Sequence, residues 1–108
     1  MTDCKISSEF NPAYYRSIFG EDPEDWAGFI EVTLRTYRKG FSKLKQAAAD
    51  HDMNIISEVR HALGPSLHQW GAVSLEQALL SLTVDDIDRD WPPLEPEFEA
   101  LFAALEQQ

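Results

Sequence analysis

Four stretches of this chain space their apolar residues three and four positions apart, a pattern that only a helix can turn into one continuous face. Trp26, Ile30, Thr33, Tyr37, Phe41, Leu44 and Ala48 share the first such face. Ile55, Ile56, Val59, Leu63, Leu67 and Trp70 make the second, Leu75, Ala78, Leu79 and Leu82 the third, and Leu94, Phe98, Leu101, Phe102 and Leu105 the fourth. No strand pattern, repeat or low-complexity tract interrupts them. Helices with one apolar face each and mostly short connections predict an all-α fold: an antiparallel up-down four-helix bundle with a short additional N-terminal helix across one end. A chain of 108 residues is expected to form this as a single domain, 1–108.

Local chemistry places the helix ends. The first residues, to Glu9, are polar and expected to be loosely held. Asn11 can cap and Pro12 suits a first helical position, so a short helix should run to Gly20, with Phe10 stapled on Tyr15. Asp22 and Pro23 repeat the signal, with Glu24 and Asp25 at the dipole's favourable end, and start a long helix to about Ala49. Asp52 is the expected cap of the third helix, from Met53 to Gly71.

Proline at 65 removes a hydrogen bond to the carbonyl of His61. The apolar stripe nevertheless continues through Leu67 and Trp70, which predicts one kinked helix rather than two. A fourth helix is expected from about Ala72 to Thr83, with Val73, Leu80 and Val84 on a second stripe covered by the following linker. That linker, 84–93, reads as an acidic loop, and the last helix runs from Leu94 to about Glu106.

The formal charge of −10 argues against nucleic acid, which is bound by neutralising its phosphates, and equally against anionic membrane surfaces. Positive charge is local: Arg35, Arg38, Lys39, Lys43 and Lys45 are five of the nine basic residues. They read first as a solvated helix face, and second as a docking or phosphate-facing patch. Cys4 is the only cysteine, which is consistent with a reducing compartment, and the N-terminus has no apolar signal core. A cytoplasmic location is expected.

His61 stands out because of where it falls. At about 100° per residue it lies almost opposite the stripe of its own helix, so it faces a partner rather than the core. Here the sequence resembles the histidine-containing phosphotransfer (HPt) domains of two-component phosphorelays, whose motif runs His-x-Leu-Lys-Gly-Ser and then Gly-Ala along one helix. His61, Leu63, Ser66, Gly71 and Ala72 match it, while Gly64 and Pro65 stand where the motif has Lys and Gly.

The resemblance implies a phosphocarrier. His61 would accept a phosphoryl group from a receiver aspartate and pass it on, and the receiver, or a hybrid sensor histidine kinase bearing one, would be the partner. No cofactor is expected on the domain itself; the implied Mg²⁺ belongs to the receiver. Ser57, Gly64, Pro65 and His68 share the side of His61 and would border the docked partner. There is no Gly-rich phosphate loop, nucleophile elbow or kinase ATP-site pattern, so no independent ATP-dependent enzyme activity is expected. A different class of function stays open, that of an HPt-like module that docks a receiver or kinase without transferring phosphate. A metal site on His61 and His68 is disfavoured, because they are seven positions apart and lack a completing ligand.

Overall fold

The computed structural model describes residues 6–108, apart from the side chain of Ser7. The expectations for residues 1–5, including Cys4, lie outside the described residues. All regular structure among those described is helical. The helices are α1 (Ile6–Glu9), α2 (Ala13–Phe19), α3 (Pro23–Asp50), α4 (Met53–Gln69), α5 (Val73–Leu80), α6 (Ile87–Asp90) and α7 (Leu94–Glu106), with a 3₁₀ turn at Val84–Asp86 before α6. No helix is long and apolar enough to cross a membrane.

Caps set most boundaries. Asp22 accepts hydrogen bonds from the backbone N–H of Glu24 and Asp25, and Pro23 opens α3 as a first-turn proline should. Asp52 accepts from Ile55 N–H at 3.2 Å and starts α4. The Asn11 side chain accepts from Ala13 N–H at 2.9 Å ahead of α2. Between α3 and α4 the chain turns at His51 in a left-handed conformation (φ 54°).

α3 packs against α4 and α7, and α5 packs against α4 and α7 in turn. Along α3, Tyr37 meets Ser66, and Lys43 meets Glu58, so α3 and α4 run in opposite directions. Arg38 meets Glu106 while Phe41 meets Phe98, giving the same relation for α3 and α7. Arg60 reaches Leu80 and Leu82 while His68 reaches Glu76, so α4 and α5 also oppose. The four apolar faces meet in one core that includes Tyr37, Leu44, Ile56, Leu63, Leu67, Leu75, Leu79, Phe98 and Leu101.

Aromatic side chains gather at two places. Trp70 is fully buried and stacks on Phe10 (5.4 Å between ring centres) and Phe29 (6.0 Å), with the tilted rings of Tyr15 at 4.6 Å and Trp26 at 6.2 Å. Phe41, Trp91, Phe98 and Phe102 form the second cluster.

Several sequence expectations need correction. Phe10 stacks on Trp70 rather than stapling Tyr15, because the indole offers both rings a larger face. The segment before it is anchored: Ile6 is completely buried, and Glu9 accepts from Ser74 N–H (3.0 Å) and Ser74 Oγ (2.5 Å) at the start of α5. Thr33 and Phe41 are half-buried, and Leu34, Gly40 and Ala47 complete the face of α3 instead. α5 stops at Leu80, since Arg60 takes the carbonyls of Leu80 and Leu82 and turns the chain there. The 84–93 linker is not a plain loop, as α6 buries Ile87 and its next residue Trp91. Val84 is half-buried against the core, while Val73 and Leu80 stay exposed rather than covered by the linker.

Candidate functional site

α4 continues unbroken through Pro65. Its inner side buries Ile56, Val59, Leu63 and Leu67, and Trp70 caps it, while Ile55 is half-buried. Opposite this side His61 is exposed, and among the described residues it has no hydrogen-bond or ion-pair partner. Pro65 has no N–H to return to the His61 carbonyl, so the backbone beside the imidazole lacks one rung of the helix ladder.

The helix ends just beyond on a turn that needs glycine. Gly71 adopts φ +77°, its N–H bonds the His68 carbonyl (2.9 Å), and Ala72 N–H bonds the Leu67 carbonyl (3.0 Å). This pair of bonds is the Schellman pattern, and Leu67 and Ala72, the two residues joined by the longer bond, are both buried. A Cβ on Gly71 would also stand 2.5 Å from the Glu9 carbonyl oxygen. The Gly-Ala pair of the motif is therefore the helix stop, and the N-terminal segment lies directly across it.

The residues expected around His61 divide. Pro65 is exposed on its side of α4. Gly64 is buried, yet an added Cβ there would meet nothing within 4 Å. Ser57 accepts from Arg60 (3.3 Å), whose guanidinium also donates to the carbonyls of Leu80, at the end of α5, and Leu82, just beyond it. His68 is exposed but drawn toward α5 by Glu76, 3.0 Å from its Nδ1. Ser66, part of the matched motif, is not at the exposed face. Its hydroxyl donates to the Leu63 carbonyl (3.0 Å), which leaves the Tyr37 hydroxyl to donate to Ser66 Oγ at 2.6 Å. Burial pushes the Tyr37 phenol well above its ordinary pKa, so it stays a neutral donor.

Sequence reasoning missed one feature. Gly40 sits on the buried face of α3, where an added Cβ would lie 2.8 Å from Leu63 Cδ1, so α3 and α4 approach closely beside the histidine. Its place on the apolar face was the available signal. Next to this crossing lies a groove of about 170 Å³ whose walls include Lys39 and Lys43 of α3 and Glu58 and Ala62 of α4. Lys43 pairs with Glu58 at 3.6 Å.

Among the described residues no three His, Cys, Asp or Glu side chains gather where they could hold a metal ion. What the arrangement offers chemically is an unencumbered imidazole on a rigid helix, with small or absent side chains beside it and a partly cationic groove along one flank. Compared with protein-family models, with curated proteins and with solved structures, the chain gives no match.

Proposed function

We propose that this chain is a histidine phosphotransfer protein of a two-component phosphorelay, with His61 as the phospho-acceptor. The observation that carries this reading is the exposed imidazole opposite the buried stripe of α4, without a hydrogen-bond or ion-pair partner among the described residues. In the same reading α3, α4, α5 and α7 are the antiparallel up-down bundle of an HPt domain, α2 is its short additional helix, and the protein works in the cytoplasm.

The step is a displacement at phosphorus. The lone pair of one imidazole nitrogen forms an N–P bond as the P–O bond of a receiver's aspartyl-phosphate breaks. The bonding electrons return to the aspartate carboxylate, and the ring keeps its proton on the other nitrogen, so charge balances. The receiver, or the receiver part of a hybrid sensor histidine kinase, supplies Mg²⁺ and most of the charge stabilisation. The domain contributes a nucleophile, a docking face and no ATP chemistry of its own. Nucleic acid and membranes have no place in this scheme.

The test is transfer itself. Receivers of the host carrying labelled aspartyl-phosphate and Mg²⁺ are mixed with the protein and with His61→Gln. Label that is acid-labile, alkali-stable and absent from the variant is the expected result. If no receiver transfers label yet one binds both proteins, the chain is a docking module that does not carry phosphate.

A further inference from the structure

We propose that Lys39 is the cation that meets the phosphoryl group on His61, an inference that rests on the phosphocarrier reading above. α4 provides no such group on that face: Gly64 has no side chain, Arg60 is engaged by the carbonyls of Leu80 and Leu82, and His68 leans to Glu76. Any cation that this chain itself adds there comes from across the groove.

The close crossing at Gly40 and Leu63 sets which residues face each other. Lys39, next to Gly40, and Ala62, next to His61, line the same groove, and alanine puts no more than a methyl group into it. The flexible four-carbon stem of a lysine suits a reach of this kind. Charge points the same way. Arg35 is paired with Glu31, Arg38 with Glu106 and Lys43 with Glu58. Lys39 has no acidic partner among the described residues, in a chain whose net charge is −10. Glu58 lies one turn before His61 and would repel an arriving phosphoryl group, so its pairing with Lys43 removes an obstacle while Lys39 is left free to act.

The experiment compares wild type, Lys39→Gln, Lys39→Arg, Lys45→Gln and His61→Gln. Lys45 is the control because it is also an α3 lysine without an ion-pair partner among the described residues, but it lines a different hollow, with Trp91 and Asp88. Initial rates of labelling are measured with receiver aspartyl-phosphate and, separately, with phosphoramidate, a small donor that needs no docking face. Lys39→Gln should label about ten- to hundredfold more slowly with both donors, the range for one charge-assisted contact. Lys39→Arg should recover most of the rate, and Lys45→Gln should match wild type. Equal rates for Lys39→Gln and Lys45→Gln would overturn the inference and leave the carrier reading intact. A defect with receivers but not with phosphoramidate would overturn it too, since Lys39 would then be a docking residue. If wild type takes up no more label than His61→Gln, the reading beneath it falls, and the role of Lys39 with it.

Discussion

Gly71 is held to its identity twice, once by its backbone angle and once by the chain that crosses it. A left-handed conformation costs an ordinary residue about 1–2 kcal/mol, and here the new methyl group would also press on the Glu9 carbonyl. Gly71→Ala should therefore lower stability by at least about 2 kcal/mol. A shift of the urea midpoint checks it, and an unchanged midpoint would show that the turn adapts. Pro65 is a contrasting case, a residue that breaks a local rule without ending its helix. The loss of one backbone bond, about 3 kcal/mol for an interior proline, is tolerated because Leu63, Leu67 and Trp70 on either side are fully committed to the core. His61 is legible from sequence for the same reason, since residues committed to the core on one side of α4 define the other.

The tie between α3 and α4 is the element-scale feature that sets the histidine face. Tyr37 donates to Ser66 from the neighbouring helix. Tyr37→Phe should cost about 1 kcal/mol at pH 8, the usual worth of such a bond. The phenol is raised in the folded state, so the unfolded chain releases this proton first, from about pH 10 upward, and folding loses stability there. Phenylalanine has no proton to lose, so the gap between the two proteins should narrow above about pH 10. A gap that widens in urea titrations across that range would contradict the assignment. Helix limits were readable where one residue's own chemistry decides them, as at Asp22, Asp52 and Gly71. α6 was not, because Ile87 and Trp91 amount to a single turn in an acidic, proline-flanked stretch, too short for periodicity to register. The faces of α3 and α5 were only partly readable. Whether Gly40 or Leu80 is covered depends on which neighbour arrives, and Lys39 gains significance only once Ala62 stands across from it.

At the scale of the whole molecule, the N-terminal segment closes the structure at one end. Ile6 packs among the buried residues, Phe10 lies on Trp70, Glu9 caps α5, and Asn11 N–H bonds the Trp70 carbonyl at 2.8 Å. This end and the opposite aromatic cluster share the continuous helix α3, which carries Trp26 and Phe29 in one and Phe41 in the other, so a local opening at one should be felt at the other. Unfolding should be a single cooperative transition, as small domains usually show. Two variants check it, one keeping only Trp91 and the other keeping only Trp26 and Trp70. Midpoints that coincide between fluorescence and circular dichroism are expected in each, and separated midpoints within either variant would reveal ends that melt independently. The same division of tryptophans makes the protein its own spectroscopic ruler. Trp70 terminates the helix that carries His61, with a tyrosine ring 4.6 Å away, while Trp91 belongs to a cluster built on α3 and α7. In the variant that keeps Trp26 and Trp70, emission reports on the C-terminal end of the histidine helix, and in the variant that keeps Trp91 it reports on the α3–α7 cluster, so opening at either end can be watched in real time without attaching a dye.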